Sequence, residues 1–95
     1  MRYILSPQAQ RDLEEIWDYT STQWGLAQAE TYIRGFQTAI ETVAENPKRG
    51  RPCDEIRPGY FKFSVGSHIL FYRLTVDALD VVRILHARMD FDNHL

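Results

Sequence analysis

The last apolar run of the chain closes on three polar side chains, His86, Arg88 and Asp90. The segment RILHARMD, residues 83–90, carries Arg83, His86 and Arg88. A histidine with a pKa of about 6.5 exchanges a proton near neutral pH, and the arginine fork holds carboxylates or phosphates with two parallel hydrogen bonds. These residues predict either contact with an anionic or protein target or acid–base chemistry on phosphate. In a purely structural alternative, one arginine pairs with a carboxylate and His86 caps the strand end by hydrogen bonding.

A second group of cations lies upstream in the chain. Lys62 stands between Phe61 and Phe63, and together with Arg57 and Arg73 it predicts a cationic patch on a strand surface. Structural interpretations of these residues remain open. In these, Lys62 is simply the solvent-facing member of an alternating strand, and Arg57, before Pro58-Gly59, bonds backbone carbonyls of its own turn.

Neither a metal nor a cofactor is predicted. Asp90, Asp92 and His94 alternate in the tail, but they lack a fourth ligand, so a frayed terminus is the stronger interpretation. The chain has no glycine-rich phosphate loop and no serine-centred triad. The single cysteine, Cys53, cannot form an internal disulfide and is expected to be a semi-buried filler.

Two amphipathic helices are predicted in the first half of the chain. Ser6-Pro7 is a good helix start and Gly25 a good stop, with Asn46-Pro47 ending the second helix. The apolar residues between these signals recur at steps of three and four: Ala9, Leu13, Ile16, Trp17, Thr20 and Trp24, then Ala29, Tyr32, Ile33, Phe36, Ile40, Val43 and Ala44. Both tryptophans are therefore expected in the core, with the exposed aromatic of an interface as the alternative for one of them.

The second half predicts three strands, at 56–65, 68–75 and 79–88, joined by tight turns into an antiparallel meander. With RYILS as a first strand, the order is β-α-α-β-β-β. The expectation is one α+β domain, residues 1–95, in which a helical hairpin packs on one face of an antiparallel sheet that the N-terminal strand joins.

The predicted sheet is apolar on both faces. Leu70 and Tyr72 alternate with Ile69 and Phe71 along one strand, and the last strand shows the same pattern. A layer of two helices covers only one face. The sequence therefore predicts that another molecule covers the other face.

Composition narrows the classes of partner. The chain has a net charge of -2, yet residues 47–95 carry eight basic and six acidic side chains while residues 1–46 carry three and seven. An arginine-rich half favours an acidic partner, whereas the overall balance argues against a DNA-coating protein. No apolar run reaches the length of a membrane span or a signal peptide, so a cytoplasmic location is expected.

Four segments carry a family resemblance: ENP at 45–47, CDEIRPGY at 53–60, GSHILFYR at 66–73 and RILHARMD at 83–90. With the element order, they make nearly the whole chain resemble the ParE toxins of the RelE/ParE superfamily. The resemblance implies a toxin of a type II toxin–antitoxin pair that binds and inhibits DNA gyrase, has no chemistry of its own and is neutralised by a ParD-like antitoxin in a hetero-oligomer.

The residues expected to contact the target or the antitoxin are Arg57, Tyr60, Lys62, Leu70, Tyr72, Arg73, Arg83, His86 and Arg88. The toxin alone is not expected to bind nucleic acid specifically or to act at a membrane.

Two alternatives stay open. One is a RelE-type endonuclease that cuts messenger RNA on the ribosome, with Lys62, His86 and Arg88 as its catalytic residues. Such a site needs several cations to hold the charge of the pentavalent phosphate, and Ser64 and Leu70 stand where others are required. The other alternative is a degenerate toxin that acts mainly in an autoregulatory complex with its antitoxin.

Overall fold

Two long helices follow the first strand, at the bounds that the capping signals predict. In the computed structural model, which describes residues 1–95, α1 spans Pro7–Trp24 and α2 spans Leu26–Glu45. The Ser6 hydroxyl accepts a hydrogen bond from the Ala9 backbone N–H at 2.9 Å, which satisfies a free donor of the first turn. Gly25 joins the helices with a φ of 92°, a conformation that residues with a Cβ rarely adopt.

Five strands form one sheet in the order β1-β5-β4-β3-β2. The strands are β1 (Arg2–Leu5), β2 (Arg51–Pro52), β3 (Tyr60–Val65), β4 (His68–Leu74) and β5 (Ala78–His86). The antiparallel meander β3-β4-β5 and the α+β fold class are confirmed. The sheet is mixed, however, because β1 pairs parallel with β5. Such a pairing needs a long crossover connection, and the helices and the other strands supply it.

The inner face of the sheet, which faces α1 and α2, holds the main core. Eleven buried residues from both helices and the two central strands pack in one cluster. Phe36 of α2 and Leu70, Tyr72, Leu79 and Val81 of the strands have no exposed surface. This cluster accounts for most of the apolar burial that stabilises the fold.

The outer face of the sheet is covered by the chain itself, which corrects the expectation that its apolar surface awaits another molecule. Cys53, Phe71 and Leu85 are buried there, and the half-buried residues that pack on them include Ile56, Phe91 and Leu95. Phe91 begins a short helix, α3 (Phe91–His94), and its ring meets Phe71 edge-on with ring centroids 5.0 Å apart.

The C-terminal residues are held in place by hydrogen bonds. An Arg57 guanidinium nitrogen donates to the main-chain oxygens of Leu95 at 2.8 Å and Asp92 at 3.3 Å. Arg83 donates to the main-chain oxygen of His94 at 2.7 Å. The expectation of a frayed tail is therefore wrong. Cys53 is also more deeply placed than expected, with none of its surface exposed.

The two tryptophans differ from the expected pair of core residues. Trp17 is half-buried, whereas Trp24, the last residue of α1, is 72% exposed. Trp24 borders an open surface depression that Tyr32, Ser67 and His68 also line, so its ring is not covered by the core. Neither long helix is apolar enough to cross a membrane.

Candidate functional site

Arg83 is bound to a carboxylate of its own chain. Its Nε and one terminal nitrogen each donate to an Asp12 carboxylate oxygen at 2.9 Å, and the backbone N–H of Ile84 donates to the same carboxylate at 2.9 Å. Beyond Val81, β5 has lost its β1 partner, so the Asp12 side chain takes the place of a neighbouring strand. The hydrogen bond to Asp12 raises the pKa of Arg83. The structural alternative is therefore confirmed for Arg83.

His86 faces His68 across the ends of β5 and β4. The two residues are paired in register, and their rings meet edge-on with centroids 5.2 Å apart. His86 Nδ1 accepts a hydrogen bond from the Arg88 backbone N–H at 3.1 Å, so His86 does cap its strand end. Burial, with a smaller effect of His86, lowers the pKa of His68.

Tyr32 of α2 completes this cluster. Its hydroxyl lies 2.7 Å from His68 Nδ1 and 3.3 Å from the Val65 carbonyl oxygen, and it accepts a hydrogen bond from the Ser67 backbone N–H at 3.0 Å. One hydroxyl thus joins α2 to the turn between β3 and β4. Tyr32 thereby fixes the position of the His68 ring.

The histidine pair lies in the floor of a surface groove. Two open depressions of about 430 and 460 Å³ share Tyr19, Thr20, His68 and His86, so they form one continuous feature. We call it the α1–β5 groove. Its lining residues are Asp12, Glu15, Ile16, Tyr19, Thr20, Trp24, Gln28, Tyr32, Ser67, His68, Arg83, Ile84, Leu85, His86, Met89 and His94.

Exposed aromatic side chains border the groove. Tyr19 is 66% exposed and Trp24 72%. Large aromatic side chains beside a depression are typical of surfaces that bind other proteins, because they bury much apolar area with few rotatable bonds. Neither spacing nor composition predicted Tyr19, His68 or Tyr32 as site residues. The signal for Tyr19 was its position off the apolar stripe of α1, which leaves an aromatic ring in solvent.

Leu70 and Tyr72 are not contact residues in this fold, which corrects two of the expected positions. Both are fully buried on the inner face, because α1 and α2 cover the side of β4 on which they lie. The Tyr72 hydroxyl instead accepts from the Gly50 backbone N–H at 3.1 Å and donates to the Pro47 carbonyl at 2.5 Å. Tyr72 therefore anchors the 3₁₀ turn Pro47–Arg49 to the sheet.

Four other expected contact residues lie around the outer face. Tyr60 is half-buried against the outer cluster, and Arg57 bonds main-chain oxygens, including that of Ile56 in its own turn. The exposed Arg73 approaches Asp80 at 3.5 Å. Lys62 pairs in register with Arg51 and Phe71, with no carboxylate within 4.0 Å of its ammonium group.

The proposed nuclease residues are not brought together. Lys62 shares the outer face with Phe71, whereas His86 shares the inner side with His68, which contacts Tyr32 of α2. Arg88 is exposed in the turn after β5. No three His, Cys, Asp or Glu side chains converge where they could hold a metal ion.

The sequence matches a known family over almost its entire length. The family profile described as the ParE toxin of the type II toxin–antitoxin system parDE matches residues 3–91. The chain belongs to the ParE toxin family. The prediction of the family and of a toxin of a type II toxin–antitoxin system is thereby confirmed.

Individual ParE toxins are similar to the chain throughout. Toxin ParE1 of Mycobacterium tuberculosis is 61% identical over 95 residues, covering 99% of this chain and 97% of the relative. Toxin ParE1 of Caulobacter vibrioides is 42% identical, covering 98% and 96%. Toxin ParE of Escherichia coli is 35% identical, covering 98% and 91%.

A solved structure confirms the ParE fold. A chain from the chromosomal ParDE toxin–antitoxin system of P. aeruginosa superposes with a TM-score of 0.81, covering 90% of this chain and 95% of that chain at 18% identity. At that identity the likeness concerns the backbone arrangement alone.

Proposed function

We propose that this ParE toxin inhibits DNA gyrase by binding it, without catalytic chemistry of its own, and that a ParD-like antitoxin neutralises it in a hetero-oligomeric complex. Membership of the ParE family carries the proposal. Because gyrase acts on chromosomal DNA, the proposed place of action is the bacterial cytoplasm.

The arrangement of the polar residues favours binding over catalysis. Cleavage of RNA without a metal requires a base, an acid and several cations around one phosphate. Lys62 and His86 lie on opposite sides of the sheet, and Arg83 is occupied by Asp12. Lys62, Arg83 and His86 therefore do not surround one phosphate, which supports binding as the activity.

The α1–β5 groove supplies the surface for the antitoxin. It combines exposed apolar rings with polar groups in its floor, and a peptide segment that orders on binding needs a large surface of this kind to offset the entropy it loses. The outer face offers less exposed apolar surface at its centre, because α3 and the turn at 53–59 already cover it.

A gyrase assay tests the proposal. Purified toxin, freed from antitoxin, is expected to inhibit supercoiling by gyrase, and equimolar antitoxin is expected to restore it. The same preparation, incubated with translating ribosomes, should leave messenger RNA intact. Message cleavage that disappears in His86→Ala or Arg88→Ala would contradict the proposal and favour the endonuclease. A product that is harmless in cells without antitoxin would favour the degenerate toxin.

A further inference from the structure

In each histidine of the groove floor, one ring nitrogen, Nδ1, already takes part in a hydrogen bond within the chain. The Arg88 backbone N–H is an obligate donor, so His86 Nδ1 is an acceptor and the proton of the neutral ring lies on Nε2. For His68, we assign the Tyr32 hydroxyl proton to the shorter of its two contacts, Nδ1 at 2.7 Å rather than the Val65 oxygen at 3.3 Å. With that assignment the neutral His68 ring, like that of His86, carries its proton on Nε2.

The two Nε2–H donors have no partner in the chain, yet they are reached by solvent. Neither Nε2 atom takes part in a side-chain hydrogen bond, and no side-chain nitrogen or oxygen that lacks a partner is buried. Both rings line both depressions of the α1–β5 groove. The groove floor thus presents two neighbouring donors and no competing internal acceptor for them.

The imidazole pair is the part of the groove floor that suits a negatively charged acceptor. Arg83 is paired with Asp12 and does not compete for the anion, whereas Glu15, an α1 carboxylate without an ion pair, opposes an anion on that side of the groove. The anion therefore binds on the β4–β5 side, at the two imidazoles, where it also favours protonation of His68. The titratable groups that line the groove with the imidazole pair are Asp12 and Glu15, with Tyr19, of α1, Tyr32 of α2, Arg83 of β5, and His94 of α3.

We infer that His68 and His86 together bind a carboxylate side chain of the antitoxin segment that occupies the α1–β5 groove, each donating from Nε2, and that this contact makes toxin–antitoxin affinity depend on pH. The inference rests on the proposed function, because it assigns the occupant of that site. Tyr19 and Trp24 contact the apolar side chains next to the carboxylate.

The direction of the pH dependence follows from the chemistry of the pair. In the free toxin, burial and mutual repulsion keep the pKa of His68 below its ordinary value. A carboxylate at the two donors favours protonated His68, whose Nδ1–H then donates to the Tyr32 hydroxyl, so the pKa of His68 rises in the complex. Binding therefore takes up protons, and affinity increases as the pH falls through the pKa of His68 in the complex until His68 of the free toxin is itself protonated.

The first experiment uses the free toxin. NMR of the imidazole nitrogens near pH 7.5 is expected to show His68 and His86 as Nε2–H tautomers. The second experiment is calorimetric titration of the toxin with its cognate ParD-like antitoxin from pH 5.5 to 8, in buffers of different ionisation enthalpy, which reports proton uptake. Wild-type toxin should take up protons on binding and bind more tightly at the lower pH values.

Three variants separate the carboxylate contact from structural effects. His86→Phe keeps a ring without the donor and is expected to weaken binding about tenfold or more, the usual effect of losing a hydrogen bond to a charged group. His86→Gln keeps an N–H donor, so it should retain part of the affinity and the proton uptake at His68. Asp77→Asn, exposed in the turn between β4 and β5 at the end of the sheet away from the groove, is the control and should behave as wild type.

The outcomes distinguish this inference from the function on which it rests. Antitoxin binding that takes up no protons, or that His86→Phe leaves unchanged, overturns the histidine contact while the toxin–antitoxin pairing stands. An Nδ1–H tautomer at either histidine also overturns it. Failure of the cognate antitoxin to bind the wild-type toxin, or a toxin that closes the groove by self-association, overturns both.

Discussion

The two faces of the sheet differ in how they are completed. The core on the inner face contains eleven buried residues, six from two helices of 18 and 20 residues and five from the strands. The cluster on the outer face contains three buried residues, covered by a turn and a helix of four residues. The strands are apolar on both faces, so alternation alone does not distinguish the core from a binding surface. The two most exposed aromatic rings, Tyr19 and Trp24, lie instead along the groove between α1 and β5.

Paired alanine substitutions, one for each face, test this difference. Phe36→Ala on the inner face is expected to lower the free energy of unfolding by about 3–5 kcal/mol, since it leaves a cavity in the core. Phe91→Ala on the outer face removes a half-buried ring and should cost about 1–2 kcal/mol. Urea unfolding of the purified toxin measures both. Equal losses would mean that the outer cluster is as important to stability as the core.

Asp12 joins α1 to the unpaired end of β5. Asp12→Ala is expected to cost about 3 kcal/mol, because it leaves the Arg83 charge and the Ile84 backbone N–H without an acceptor. Glu14→Ala, on the exposed side of the same helix, is the matched control and should change stability by less than about 0.5 kcal/mol. A similar loss in the two variants would show that the pair contributes nothing beyond helix propensity.

Tyr72→Phe tests the anchor of the 47–49 turn. The ring stays in the core, but the hydroxyl bonds to Gly50 and Pro47 are lost, so unfolding should become easier by about 1–2 kcal/mol. Hydrogen exchange of the Gly50 amide should accelerate, whereas that of the helix amides should not. An unchanged Gly50 amide would contradict the assigned anchoring role.

Capping residues made the helices predictable, while the smallest elements escaped prediction. Ser6, Pro7 and Gly25 act through local geometry that the sequence displays directly. The two residues of β2 and the four of α3 are too short for any periodicity, and they are ordered by tertiary contacts such as Phe91 on Phe71. The short length of β2 and α3 explains why the sequence did not predict them.

The site was harder to predict than the fold. Leu70 and Tyr72 were assigned to a binding face because both faces of β4 are apolar, and only the position of the helices reveals which face they cover. Arg83 was recognised as a functional candidate, but its carboxylate partner lies 71 residues away in the chain. Local sequence carries no information about that contact.

The smallest expected effect concerns pH. His68 has a folded-state pKa below its ordinary value of 6.5, so the unfolded chain binds a proton more readily. Stability is therefore expected to fall as the pH drops below 6.5 and to level off below the folded-state pKa. His68→Gln should reduce this decline in thermal unfolding between pH 7 and 5, and His94→Gln should not. A decline that His68→Gln leaves unchanged would assign it to other groups.

Hydrogen exchange of the toxin with and without its cognate antitoxin tests the central claim most directly. If the α1–β5 groove is the docking surface, added protection will concentrate in the C-terminal half of α1, the start of β4 and the end of β5. Protection confined to the outer face, around residues 53–62 and α3, would contradict the account and restore that face as the binding surface.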